Sequence, residues 1–153
     1  MLKYCLERWE KNKGFLEEAL RTGTEFNSCG YDDLVRLVVK CVLNNDEDMW
    51  EAEGVKTVDN GDYQGTLLFL IPANTYQPSE YEYLMTCVGY GSCSGCDTLQ
   101  AIQDYEWGAR LTDEQVKDFM RLCKDLVANL IKPYNGGWRY DERFTEVVMP
   151  PEV

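Results

Sequence analysis

Apolar positions recur at helical spacing in the amino-terminal part of the chain. The first set consists of Leu2, Leu6, Trp9, Leu16 and Leu20. This spacing predicts a first helix, with Gly14 as a candidate break. A second helix is expected from about Asp32, because Asp32 and Asp33 suit a first helical turn, and it should end near Asn44.

The best-marked helix is predicted to begin after Thr112. Thr112 and Gln115 have the spacing of a capping box, in which each side chain bonds the backbone N–H of the other residue. The helix should bury one face and stop by Pro133. That face consists of Val116, Phe119, Met120, Cys123, Leu126, Val127, Leu130 and Ile131. The tail, with Trp138, Phe144, Val147 and Val148, is expected to add a last strand or strap.

The middle of the chain changes to the periodicity of strands. Residues 55–58 lead to Asn60-Gly61, and Asn-Gly is the strongest short signal for a hairpin turn. The apolar run 66–71, which ends at Pro72, is typical of a central strand covered on both faces. Residues 81–88 alternate as a further strand would. We therefore predict one α+β domain over residues 1–153. Its central antiparallel meander of about three to five strands, roughly residues 50–90, packs against amino- and carboxy-terminal helices.

Negative charge is concentrated in this middle segment. Residues 41–109 carry 12 acidic side chains and one basic side chain, Lys56, whereas the flanking segments are close to neutral. Such a field repels nucleic-acid phosphates and anionic membranes and attracts basic partners. We expect no direct nucleic-acid or membrane binding. No run approaches the roughly 20 apolar residues of a membrane span. The polar start of the chain favours a cytoplasmic location.

Tyrosines interleave with the acidic residues of the middle segment, and we expect the two types to form an interaction surface. Tyrosine offers a large apolar area with a polar tip, and carboxylates steer a basic partner inward. Alternatively, the tyrosines line a sheet face and the acids only keep the protein in solution. The residues expected to contact a partner are Asp46, Glu47, Asp48, Glu51, Glu53, Asp59, Asp62, Tyr76, Glu80, Tyr81, Glu82 and Tyr83.

Cys93 and Cys96 form a CxxC pair between a strand-like and a helix-like run. Redox chemistry needs a stabilised thiolate, which the neighbouring Asp97 opposes. A closed zinc site needs four ligands, and the chain has no histidine and no second CxxC pair, so only the fold could add a ligand such as Cys87. The third interpretation is a tight glycine-rich corner. We favour the corner and expect no cofactor, and thiol redox or metal binding remains the alternative.

Other enzyme classes find little support in the residues present. The absence of histidine removes the Ser-His-Asp and Cys-His nucleophile systems. The chain has no Walker A loop, and Gly89-Tyr90-Gly91 does not fit the dinucleotide-binding pattern. Seven cysteines at irregular spacing indicate a reducing compartment with mostly free thiols. We therefore expect a protein without enzymatic activity.

Two elements within residues 62–104 give the chain a resemblance to known proteins. These elements are YQG at 63–65 and GSCSGCDTLQ at 91–100. Together they resemble a family of small proteins encoded by bacteriophages and prophages. The resemblance implies a viral or mobile-element gene that acts in a bacterial cytosol, and it brings no activity or residue role. With the charge pattern, it suggests an acidic inhibitor of a host defence nuclease, such as an anti-CRISPR protein, whose partner is a basic nucleic-acid-binding protein.

Overall fold

Four α-helices and three β-strands make up the described part of the computed structural model, which comprises residues 1–132, 144 and 146–148. The helices are α1 (Lys3–Thr22), α2 (Tyr31–Val38), α3 (Thr98–Ile102) and α4 (Asp113–Ala128). The strands are β1 (Lys56–Asp59), β2 (Gly65–Pro72) and β3 (Tyr83–Tyr90). A π-helical turn (Val39–Leu43) extends α2, and a 3-10 turn (Ala52–Gly54) precedes β1.

The strands form an antiparallel meander in the order β1-β2-β3, which confirms the predicted α+β class and the central place of β2. Asn60 closes the predicted hairpin, because its side-chain oxygen accepts from the Thr66 N–H at 2.8 Å. The connection spans residues 60–64 and is longer than a two-residue Asn-Gly turn.

The inner face of the sheet packs against the helices. Phe69, Ile71 and Leu84 are fully buried in one core with side chains of α1, α2 and α4. Thr86 on the same face donates its hydroxyl hydrogen to the Leu126 carbonyl of α4 at 2.6 Å. Small sheets gain independent stability from an apolar face or from packing against a helix, and the contact with α4 supplies that packing for the meander.

The outer face of the sheet points away from the helices. Cross-strand partners share a face, and the register therefore places one set of mainly apolar side chains there. We call this set the open face: Val58, Leu68, Leu70, Met85, Cys87 and Ile131. Val58 is 48% exposed and Ile131 56% exposed, and Leu68 and Leu70 lie outside the buried core. The prediction that β2 is covered on both faces is therefore wrong, because the helices lie on one side only.

The helical half differs from the sequence prediction in three places. Gly14 does not break α1, which runs continuously from Lys3 to Thr22 with Gly14 on its exposed side. The capping box of Thr112 and Gln115 is confirmed, but α4 ends at Ala128, before Pro133. Ile131 consequently leaves the predicted helical face and pairs its backbone with Met85 of β3.

The tail returns to the first helix. Val147 forms an antiparallel bridge with Leu2, and the Phe144 ring lies 4.8 Å from the Tyr4 ring, centroid to centroid. These contacts agree with the predicted strap, and Trp138 lies outside the described residues. Among the described residues, no helix is long and apolar enough to cross a membrane.

Truncation of one leucine on each face tests this two-sided sheet. Leu84→Ala, on the inner face, should lower the free energy of unfolding by about 2–5 kcal/mol, because a buried side chain is lost and a cavity remains. Leu68→Ala removes the same atoms from the open face and should cost clearly less. The measurement is urea unfolding followed by circular dichroism. Equal losses for the two variants would show that the outer face is packed as well.

Candidate functional site

The structure brings seven of the twelve predicted interaction residues to one end of the sheet. The chain segment before the 3-10 turn lies beside the end of β2, where the Asn74 N–H donates to the Met49 carbonyl at 2.8 Å and the Glu51 N–H to the Pro72 carbonyl at 2.9 Å. The loop from β2 to β3 extends from the same place. We call this region the acidic end: Asp48, Glu51, Tyr76, Glu80, Tyr81, Glu82 and Tyr83.

The aromatic side chains of the acidic end face solvent to different degrees. Tyr76 is 91% exposed, Tyr81 is 38% exposed and Tyr83 is half-buried at the start of β3. Tyr81 donates its hydroxyl hydrogen to Glu80, and this bond raises the pKa of the Tyr81 phenol. The loop is tied back because Glu82 accepts from the Ser79 N–H at 3.2 Å and Lys132 donates to the Tyr81 carbonyl at 2.6 Å.

Three other predicted interaction residues are held in ion pairs with the helices. Arg8, whose side chain is buried, pairs with both Asp46 and Glu47, and Lys11 also pairs with Asp46. Lys40 pairs with Glu53 at 2.6 Å. Arg8 also donates to the Leu43 carbonyl at 3.2 Å, at the last residue of the π-helical turn. Asp46 and Glu47 therefore help to hold the segment after the π-helical turn against α1, and Glu53 joins the 3-10 turn to the π-helical turn.

The remaining two predicted residues, Asp59 and Asp62, lie at the opposite end of the sheet. Asp59 accepts from the Tyr90 hydroxyl at 2.6 Å, and this bond raises the pKa of Tyr90 to about 12. Asp62 is exposed in the loop between β1 and β2. An eight-residue strand spans about 25 Å, so these two residues are separated from the acidic end by the length of β2.

The open face connects the two ends of the sheet. Across it, Leu70 lies opposite Met85, Leu68 lies opposite Cys87, and Pro72 lies opposite Tyr83 of the acidic end. The apolar surface is thus continuous with the tyrosines and carboxylates of that end. Lys56, opposite Leu70, is the basic side chain of this face among the described strands.

Besides Phe15 on α1, three exposed aromatic side chains of the described residues were not among the predicted site residues. Tyr63 is in the β1–β2 loop, and Tyr105 and Trp107 are in the loop before α4, where all three are largely exposed. The Asn27 side chain anchors the second loop, because it accepts from the Asp104 N–H and donates to the Glu106 carbonyl. The place of these three aromatic residues in the acidic segment 41–109, which also contains Tyr76 and Tyr81, was the available sequence signal.

Asp97 organises the loop that carries the CxxC pair. Its carboxylate is buried and accepts from the Gly91 N–H at 2.9 Å, the Gln100 N–H at 3.0 Å and the Tyr31 hydroxyl at 2.9 Å. Burial raises the pKa of Tyr31, so this phenol stays protonated as a donor. Gln100 does not reach back to the Asp97 N–H as a capping box would and instead donates to the Gly91 carbonyl at 3.2 Å. The predicted corner between strand and helix is therefore present, closed by Asp97.

The two cysteines lie at the tip of this corner. Cys93 and Cys96 are exposed, and their sulfur atoms are 3.0 Å apart. Among the described residues, no group of three or more Cys, Asp or Glu side chains is arranged to hold a metal ion, and Cys87 does not join the pair. The arrangement is a pair of thiols on a fixed base.

The ion pairs of Asp46 should make the stability of the protein depend on pH in the acidic range. Hydrogen bonds from Arg8 and Lys11 lower the pKa of Asp46 from 3.8 to about 2. The group therefore contributes stability above pH 3.8, and the contribution disappears as the pH falls through 2. We expect the thermal midpoint of the wild-type protein to fall more steeply between pH 4 and pH 2 than that of Asp46→Asn.

Asp125→Asn, which changes an exposed carboxylate on α4, is the control for this comparison and should leave the steepness unchanged. Parallel curves for wild type and Asp46→Asn would contradict the assignment of Asp46 to a stabilising ion pair.

Because the Asp97 carboxylate accepts three hydrogen bonds, its removal should strongly lower the stability of the fold. Asp97→Ala should lower the free energy of unfolding by about 2–4 kcal/mol, because it removes a helix cap and leaves buried donors without an acceptor. Asp97→Asn keeps one acceptor oxygen and should cost less. Asp62→Ala, an exposed aspartate, should change stability by no more than about 0.5 kcal/mol. Chemical unfolding measures the stability of all three variants. If Asp97→Ala lost as little stability as Asp62→Ala, the hydrogen bonds to Asp97 would not stabilise the loop as described.

Comparisons of the chain with protein-family models, with curated proteins and with solved structures gave no match. The resemblance of residues 62–104 to phage-encoded proteins therefore stays a prediction.

Proposed function

We propose that the protein is a non-enzymatic interaction protein that binds a basic protein partner through the open face of its sheet and the adjoining acidic end. The observation that carries this proposal is the continuity of the two surfaces. Pro72 and Tyr83 lie opposite each other where the open face meets the acidic end. Stable interfaces commonly have an apolar centre with a polar rim, and this arrangement supplies both parts.

The open face supplies the apolar centre of the proposed interface. Val58 and Ile131 are about half exposed on its two sides, and Leu68 and Leu70 of the middle strand lie between them. Contiguous exposed apolar patches of this kind mark interaction sites in soluble domains. The exposed Tyr76 and Tyr81 add aromatic side chains of the type that contributes most to binding energy.

The charge of the acidic end determines the class of partner. Asp48, Glu51, Glu80 and Glu82 lie within this one end, and they outnumber Lys132, the cation that donates to the Tyr81 carbonyl there. Their field steers a positively charged surface toward the open face and raises the association rate. A protein with a basic nucleic-acid-binding groove has the complementary charge. The phage resemblance supports a host defence nuclease as that protein, with the chain acting as its inhibitor.

Charge reversal at the acidic end tests the proposal. Tagged protein is used to capture partners from a bacterial lysate at low salt, and retained proteins are identified by mass spectrometry. We expect a basic protein to be retained by the wild type and released at higher salt, because counter-charges are screened. Glu80→Lys/Glu82→Lys should weaken its binding by at least about tenfold, a loss typical of important interface residues.

A matched control keeps the same change in net charge. Glu18→Lys/Glu114→Lys alters two exposed acids near the end of α1 and the start of α4, where Arg21 and Asp113 join the two helices, and should leave binding unchanged. Leu68→Asp should weaken binding because it removes an apolar contact from the open face. Since this substitution adds negative charge, attraction between opposite charges alone would predict stronger binding instead. Circular dichroism verifies that each variant is folded. Retention of no basic protein, or equal loss in both double variants, would overturn the proposal.

A further inference from the structure

Cys93 and Cys96 form a chemical site that the proposed interaction function does not use. They lie at the exposed tip of the loop between β3 and α3, with their sulfur atoms 3.0 Å apart. We propose that this pair is a thiol–disulfide exchange site that is oxidised to an intramolecular disulfide by a low-molecular-weight disulfide and reduced again by the corresponding thiol. The proposal is independent of partner binding, because this loop lies at the end of the sheet opposite the acidic end.

The backbone already holds the two cysteines in a geometry that a disulfide requires. The Cys96 N–H donates to the Cys93 carbonyl at 3.0 Å, which closes a four-residue turn. Such a turn keeps its first and last Cα atoms within about 7 Å, which overlaps the separation of about 4.4–6.8 Å found in disulfides. The sulfur atoms must approach by only about 1 Å to reach the bond length of about 2.05 Å.

The base of the loop stays fixed while the tip reacts. Gly91 and Asp97 are buried, and the Gly91 N–H, the Gln100 side chain and the Asp97 carboxylate join the two ends of the loop. The cysteines, Ser92, Ser94 and Gly95 are exposed. Gly95 has open space around its Cα, with the Cys93 sulfur 3.8 Å from the place of a Cβ. Oxidation therefore needs movement only in a short exposed segment whose ends are clamped.

The surroundings give the two sulfur atoms different roles. The contact between the two sulfur atoms, in which either thiol can donate, and hydrogen bonds from the Gly95 and Cys96 N–H groups lower the pKa of Cys93. The same contact with Cys93 raises the pKa of Cys96. Since the thiolate is the attacking form, the two backbone N–H groups that bond the Cys93 sulfur favour Cys93 as the nucleophile, with Cys96 as the resolving thiol.

Most other cysteines of the chain are in surroundings that suppress this chemistry. Burial raises the pKa of Cys5 and of Cys29 to about 12, and burial also raises the pKa of Cys41 and Cys123. Cys87 is exposed on the open face and serves as an internal reference for an accessible thiol.

The exchange balances in two steps. The Cys93 thiolate attacks one sulfur of the small disulfide RSSR, forms a mixed disulfide and releases RS⁻, which takes up the proton lost by Cys93. The Cys96 thiolate then attacks the Cys93 sulfur, forms the Cys93–Cys96 bond and releases the second RS⁻, which takes up the proton of Cys96. The protein loses two hydrogens and two electrons, and RSSR is reduced to two RSH.

Equilibration with a neutral redox pair tests the proposal. The folded full-length protein is incubated with 2-mercaptoethanol and its disulfide at a series of ratios, and free thiols are alkylated and mapped by peptide mass spectrometry. We expect Cys93 and Cys96 to lose their thiols together in one reversible transition. Cys96→Ser should accumulate a mixed disulfide at Cys93, because the resolving thiol is gone.

The rates of native-state alkylation distinguish the two roles. In Cys96→Ser, the serine hydroxyl keeps a hydrogen-bond donor for the Cys93 sulfur. At pH 7, Cys93 in this variant should be alkylated faster than an ordinary accessible thiol. The expected gain is about threefold for each pH unit by which the pKa of Cys93 is lowered, because a thiolate of lower pKa is also intrinsically less nucleophilic. Cys96 in Cys93→Ser should react more slowly than Cys93 does in Cys96→Ser, because two backbone N–H groups bond the Cys93 sulfur and one bonds the Cys96 sulfur. Cys87→Ser is the matched control and should retain the full transition.

Three results would overturn the assignment: thiols at 93 and 96 that persist at the most oxidising ratio, a disulfide that includes Cys87, or equal alkylation rates of Cys93 and Cys96 in the two single variants. Circular dichroism of each variant ensures that the measurement is made on folded protein. Since none of these readouts involves a partner, failure here leaves the proposed interaction function standing, and the converse also holds.

Discussion

The packing of one sheet face against the helices is the contact on which the rest of this structure depends. Phe69, Ile71 and Leu84 contribute fully buried side chains to it, and Thr86 adds a buried hydrogen bond to the Leu126 carbonyl of α4. Packing of a sheet face against a helix is one of the ways in which a small sheet gains stability in water. Because the described helices cover a single side, the opposite side is not covered by any of them. The open face is therefore a direct result of the contact that stabilises the sheet.

The helices and strands of this fold were largely predictable, because hydrophobic periodicity and helix capping depend on residues close together in the sequence. The capping box of Thr112 and Gln115 predicts the start of α4, and Asn60 predicts the hairpin. The errors come from longer-range effects. Gly14 is tolerated inside α1 because the helix gains its stability from tertiary packing as well as from local propensity. The apolar run of β2 is similar in a strand covered on one or both faces, so periodicity alone does not reveal the open face.

The candidate site was predictable in composition but not in arrangement. Charge counting identifies an acidic segment, yet it treats Asp46 and Glu80 as equivalent. In the fold their surroundings differ. Asp46 forms an ion pair with the buried Arg8 of α1, whereas Glu80 lies in an exposed loop beside Tyr81. That division depends on pairing of residues 49–51 with the end of β2, which no local pattern encodes. The acidic end thus holds fewer carboxylates than the sequence of the acidic segment offers.

The same negative charge that favours a basic partner also acts on the dithiol. Cys93 and Cys96 have Asp97 beside them, and Asp59 and Asp62 belong to the hairpin at the same end of the sheet. The charge of Asp97 raises the pKa of both thiols, against the hydrogen bonds that lower that of Cys93. A field of this sign repels anionic disulfides and admits neutral or cationic ones more readily, most strongly at low ionic strength. In the proposed exchange, the geometry of the loop brings the two thiols together, and the charge of the surrounding segment selects the co-reactant.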